Sequence, residues 1–252
     1  MMKPLVVANW KMNPSSWREA KQLFEATKKA AGKAKGISLV VAPPALFLRE
    51  LAKGRGGGRI AFCVQSAHHE VGGAFTGEIS MREAKDAGAS YALVGHSEVR
   101  ARGATNADTG RQVSAALAAK MRPILCVGEA NRSPSGAHFG FVAAQLKAGF
   151  ENVPASKLSD VIVAYEPIWA IGGEETMSPR EMHEMAIFIR KTIVETHGQK
   201  GISVRIIYGG SVNEENSDEM LRDGDVSGLL IGHVSVDAGR FSVLMHSLAN
   251  EV

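Results

Sequence analysis

The chain has 252 residues, 45% of them hydrophobic and 22% charged, with 29 basic against 26 acidic side chains and a formal charge of +3. This is globular composition for one large or two small domains, and no Lys/Arg block is dense enough for nucleic acid. No apolar run reaches the roughly 18 residues of a membrane helix, and MMKPLVVANWKMN has too short an apolar core for a secretion signal. Cys63 and Cys126 sit in the apolar runs IAFCVQ and ILCVGE, which reads as two buried free thiols in a reducing compartment. The expected location is the cytoplasm.

Short β-rich runs alternate with longer stretches of helical period. PLVVAN is the first strand, and its helix starts at about Trp17 with Trp17, Ala20, Phe24, Thr27 and Ala31 on one face. ISLVVAPP precedes the helix ALFLRELAKG, which Gly54 stops. RIAFCVQ leads through a long loop to SMREAKDAG. SYALVGHS precedes a helix ending near Lys120, and RPILCVGE one from about His138 to Phe150. DVIVAYEP leads through IWAIGGEETMS to a long helix from Pro179 to about His197. SVRIIYGGS and VSGLLIG each precede one more helix, the last from about Val236 to Leu248.

These are eight strand-then-helix units without a linker. Runs such as VIVAY and ILCV, apolar on both faces, fit strands of a doubly covered parallel sheet. The expected fold is α/β, a single closed (β/α)8 barrel with residues 1–252 as one domain. An open doubly wound sheet is the alternative, but no GxGxxG follows the first strand.

In such a barrel, chemistry sits on the loops after the strand C-termini. Asn9 and Lys11 follow the first strand, Gln65 the third, and His96 and Glu98 the fourth. Glu129 follows the fifth, Glu166 the sixth, Gly209-Gly210-Ser211 the seventh and Gly232 the eighth. Polar and glycine residues therefore converge on one rim. Glu166 leaves its apolar run directly before Pro167, which stiffens the stem of a candidate general base. The glycine turns offer backbone N–H groups to an anion such as phosphate. The adjacent His68 and His69 lack metal-ligand spacing, and no metal or redox cofactor is expected. A carboxylate base, a neutral electrophile, a cation and a phosphate cradle point to proton abstraction beside a carbonyl. A lid would keep water from the enediolate formed in that step.

NWKMN (Asn9–Asn13), GAFTGEIS (Gly73–Ser80), GHSE (Gly95–Glu98), CVGE (Cys126–Glu129), AYEPIWAIG (Ala164–Gly172) and YGGSV (Tyr208–Val212) resemble the triosephosphate isomerase family in order and spacing. The resemblance covers essentially the whole chain and implies a TIM barrel. It implies that Glu166 moves the proton between two carbons, that His96 is the electrophile, and that Asn9 and Lys11 contact the substrate. Glu98 would hold Lys11, and Gly172, Ser211, Gly232 and the N–H of His233 would bind phosphate. Trp169 would hinge the lid and reach Glu129 when the lid is open, although Glu129 also reads as a capping acid and Trp169 as a packing residue. The family is itself a standard example of a carboxylate base working beside a neutral imidazole, so these roles are the family's.

The resemblance further implies a homodimer, in which the loop Ser66 to Ser80 inserts into a second subunit and Thr76 reaches the neighbouring site. The implied reaction interconverts dihydroxyacetone phosphate and D-glyceraldehyde 3-phosphate. Alternatives are a related substrate such as a tetrulose phosphate, or a non-catalytic phosphate-binding barrel. Four departures from the family pattern bear on this choice. Gly173-Glu174-Glu175 stands where relatives have Thr-Gly-Lys, His233 replaces a glycine, Val99 replaces a bracing arginine beside Arg100, and Ser66 replaces an asparagine after Gln65.

Overall fold

The computed structural model describes residues 3–56, 60–171 and 176–250. Eight parallel strands follow one another around a closed barrel. They are β1 (Leu5–Asn9), β2 (Ser38–Ala42), β3 (Ala61–Val64), β4 (Tyr91–Val94), β5 (Arg122–Val127), β6 (Ile162–Tyr165), β7 (Arg205–Tyr208) and β8 (Gly228–Ile231). β8 returns to β1 with Gly228 opposite Leu5 and Ile231 opposite Ala8, which closes the sheet.

The two-sided apolar strands explain the closure. Successive residues point to opposite faces, so Leu5 and Val7 belong to one buried cluster and Val6 and Ala8 to another. The first cluster also contains Val40, Cys63, Leu93, Ile124, Ile162 and Ile207, and it fills the barrel interior. The second lies between the sheet and the surrounding helices, with Phe24, Phe62, Leu146, Met182 and Leu244 among its members.

Those helices are α1 (Trp17–Lys33), α2 (Ala45–Lys53), α3 (Met81–Asp86), α4 (Ser97–Arg100) and α5 (Asn106–Ala118), then α6 (Ala137–Phe150), α7 (Pro179–His197), α8 (Ser217–Asp223) and α9 (Ala238–Asn250). Their starts are chemically specified. Ser80 with Glu83, Thr105 with Asp108 and Ser178 with Glu181 each form a reciprocal capping box, and Pro179 opens α7. Gly54 ends α2, as its position in the sequence implies.

Three details differ from the sequence reading. Trp17 is 43% exposed and rests against the Phe47 ring, while Ala20, Leu23, Phe24, Thr27 and Ala30 carry the buried stripe of α1. The stripe is centred one residue away from the predicted one, and Trp17 sits at its outer end in the first turn. The fourth unit spends its first residues on the separate α4, because His96 caps a short turn before Thr105 starts α5. The last helix begins at Ala238 after a 3-10 turn over His233–Val236, since Asp237 Oδ1 accepts the N–H groups of Gly239 and Arg240.

Cys63 on β3 and Cys126 on β5 both face the barrel interior, fully buried and unpaired. Burial pushes both thiols well above the usual range, and the nearby Glu166 carboxylate raises Cys126 further. The thiolate is the reactive form. Neither cysteine is therefore expected to react with a mild thiol reagent in the native protein, even at mildly alkaline pH. Rapid titration of either, measured before any unfolding, contradicts this placement.

Candidate active site

The charged and polar side chains converge at the C-terminal ends of the strands. Glu166 leaves β6 with its own N–H donated to Val127 O at 2.8 Å, and its side chain is almost fully buried. Its Oε2 accepts the Ser97 N–H at 2.9 Å, at the start of α4, and its Oε1 lies 3.3 Å from His96 Nε2. His96 Nδ1 accepts the Glu98 N–H at 3.3 Å. An Nδ1 that accepts leaves Nε2 as the ring nitrogen able to donate, and Nε2 is the one that faces Glu166. Asn9 Nδ2 approaches the same nitrogen at 3.4 Å, which sets two donors side by side at the cavity wall.

Lys11 occupies the left-handed backbone region, with φ 52°. Such a conformation in a non-glycine residue persists only where its surroundings enforce it. Asn9 Oδ1 takes the Lys11 N–H at 3.0 Å, and Gln65 Nε2 donates to the Lys11 carbonyl at 2.7 Å and to Ala42 O at 2.8 Å. The ammonium meets Glu98 Oε1 at 2.7 Å. Burial pushes the Glu98 carboxyl up, but the hydrogen bond and charge of Lys11 outweigh it and hold Glu98 below the usual carboxylate range. The strained backbone and the ion pair together fix where the cation enters.

These residues line a cavity of about 620 Å³, which Gly209, Gly210, Ser211, Gly232 and His233 share. Ser211 Oγ donates to Ala170 O at 2.5 Å, tying the turn after β7 to the segment after β6. His233 is exposed and opens a 3-10 turn; it is not among the residues of positive φ, so a side chain there carries no backbone penalty. Below the rim, Glu129 is buried and its Oε1 accepts from Tyr165 OH at 2.8 Å and from Trp169 Nε1 at 3.0 Å. Arg132 lies 5.2 Å from the Trp169 ring centre and 3.4 Å from the same oxygen. Glu129 is therefore an anchor for Trp169 and not a helix cap.

Residues 4–248 match the family model described as triosephosphate isomerase. The chain belongs to the triosephosphate isomerase family. Proteins named triosephosphate isomerase from Endomicrobium trichonymphae and Alkaliphilus oremlandii are 36% and 37% identical to it. The alignments cover 97% and 96% of this chain and 98% of each relative. The relative from Moorella thermoacetica is 34% identical over 98% of this chain and 99% of its own.

Set against the pattern of the triosephosphate isomerase family, the departures fall unevenly. Gly172, Gly173, Glu174 and Glu175, at the tip of the expected lid, lie outside the described residues. Where Val99 replaces an arginine, Arg100 braces the rim, donating to Gly95 O at 2.8 Å and Asn106 Oδ1 at 2.7 Å. Ser66 is exposed after Gln65. The structure also brings in residues that the sequence reading left out. Ser97 N–H and the thiol of Cys126 touch the surroundings of Glu166, and Arg240 lines the cavity while paired with Glu214 at 2.6 Å. Ser97 is the serine of GHSE and was findable as the first residue of a helix. Arg240 lies in the first turn of α9, and nothing local in the sequence points it at the cavity.

Proposed function

We propose that this chain interconverts dihydroxyacetone phosphate and D-glyceraldehyde 3-phosphate through an enediolate. The observation that carries the reading is a buried carboxylate 3.3 Å from His96 Nε2, beside the Lys11 ammonium on one cavity wall. Glu166 takes the proton from the carbon next to the substrate carbonyl and returns it to the neighbouring carbon. His96 Nε2–H and Asn9 Nδ2–H donate to the oxygens that gain charge, and Lys11 offsets that charge. Glu98 keeps the Lys11 ammonium at the wall. Gly172, Ser211, Gly232 and the His233 N–H hold the phosphate, and Trp169, anchored on Glu129, hinges the lid. The conversion calls on no cofactor.

The same reading makes the whole chain one barrel domain working in the cytoplasm as a homodimer. Among the described residues no helix is long and apolar enough to cross a membrane. Met12, Leu46, Val71 and Phe75, on the segments after β1, β2 and β3, are exposed apolar side chains, 91%, 89%, 67% and 43% accessible. Cover by a second subunit would remove that apolar surface from water. The loop Ser66 to Ser80, exposed from Glu70 to Glu78, is the segment that enters the second subunit, with Thr76 at its site.

A coupled assay on both triose phosphates, with a tetrulose phosphate as control, tests the reading. Turnover of the trioses is expected to dominate, and turnover of the tetrulose phosphate alone would replace the substrate assignment. No turnover of any would sink the catalytic reading.

His233 supports a separate test. Its imidazole lines the cavity and can donate to a phosphate oxygen there. His233→Gly is expected to stay active and to lose affinity for inorganic phosphate, measured by competitive inhibition. An unchanged affinity means that only the backbone of residue 233 contributes.

A further inference from the structure

Away from the rim, a cavity of about 680 Å³ opens on the outer wall between α3 and α5. Its size lies in the ordinary range of small-molecule sites, and it shares no lining residue with the active-site cavity. Its origin is visible in the third unit of the barrel. That unit spends residues 66–80 on the long loop and leaves α3 only 6 residues, against 13 in α5. Facing the gap, α5 presents Arg111, Ser114, Ala115 and Ala118, spaced by three and four so that they form one stripe. Small side chains there leave a hollow that Met81, itself buried, borders from α3.

The charge lining this hollow is mainly basic. Arg82, Lys85 and Arg111 all line it. Arg111 is paired with Asp108 at 2.5 Å, and Lys85 donates to the Lys120 carbonyl at 3.2 Å. Arg82 has no carboxylate partner among the described residues. Among the described residues Glu70 is the only acid on the lining; it lies 3.8 Å from His69, and both belong, with Val71, to the loop that enters the second subunit in the proposed dimer. An apolar hollow beside unneutralised cations is complementary to an apolar body with one anionic head, because the head meets the guanidinium and ammonium while the body covers the alanines and Met81.

We propose that the α3–α5 cavity is a binding site for an amphiphilic anion of the acyl carboxylate class, separate from the catalytic site. Decanoate and decanol are the probes, measured by titration calorimetry on the full chain. Decanoate is expected to bind saturably with a submillimolar Kd, and decanol at least tenfold more weakly. Ala118→Trp changes an exposed position on α5 and fills the hollow; it is expected to weaken decanoate at least tenfold. Arg82→Glu combined with Lys85→Glu is expected to weaken decanoate by a similar factor and leave decanol unchanged. Both variants should keep the thermal melt and the triose phosphate turnover of the unaltered protein, which separates this site from the proposed activity. Absence of saturable binding, undiminished binding by Ala118→Trp, or displacement of decanoate by inorganic phosphate overturns the proposal. A concentration-dependent oligomer that decanoate dissociates would assign the hollow to a second copy of the chain instead.

Discussion

Glu166→Asp is expected to lower kcat by about 10²-fold while substrate affinity changes far less. The substitution keeps a carboxylate and removes one methylene. The backbone of residue 166 cannot follow, because its N–H is held by Val127 O at 2.8 Å and Pro167 comes next. The shortened side chain therefore withdraws from the Ser97 N–H and His96 Nε2, which lie 2.9 and 3.3 Å from its oxygens. A base moved by about an ångström from its working position is expected to lose rate much more than binding. Steady-state kinetics in both directions check this. A variant with kcat near that of the unaltered protein would remove Glu166 from the role of base.

Gly128→Ala is expected to damage both the fold and the base. Gly128 follows β5, where the chain passes directly against the backbone of Glu166. A Cβ at residue 128 would stand 1.8 Å from the Glu166 carbonyl oxygen and 2.6 Å from its carbonyl carbon. The obstacle is backbone, not the flexible end of a side chain. Gly128 cannot retreat either, since buried Gln145 accepts its N–H at 2.8 Å and donates to its carbonyl at 3.2 Å. Overpacking of this kind costs about 1–3 kcal/mol. For a domain of this size that is a fall in Tm of several degrees. The strand ends must part to admit the methyl group, so Glu166 moves with them and kcat falls by at least about tenfold. Thermal melts and kinetics on the same preparation check both effects. An unchanged Tm with unchanged kcat would show that the two strand ends do not approach this closely.

The sequence by itself determined the architecture and the order of the polar residues around the rim. Strands apolar on both faces have to be covered on both faces, and eight such strands alternating with helices leave few closed arrangements. Local signals settled most of the boundaries, as Ser178, Pro179 and Glu181 do for α7. Residues placed at or just past the C-terminal end of a strand, such as Asn9, His96 and Glu166, inherit their position from the barrel, which is why they were legible in the sequence.

What the tertiary structure alone decided are contacts between residues far apart in sequence. The separations of 69 residues between Ser97 and Glu166, and of 54 between Gln65 and Lys11, leave no local pattern. The left-handed backbone of Lys11 depends on the Asn9 and Gln65 side chains, so no propensity announces it. Glu129 reads locally as a capping acid because its partners Tyr165 and Trp169 arrive from the next unit of the barrel. The hollow between α3 and α5 arises in the same way: alanines on a helix read as ordinary helix formers until a shortened neighbour leaves them uncovered. Periodicity and turn chemistry act over a few residues, whereas sites are made where strands and helices distant in the chain are brought together by burial of the two apolar layers.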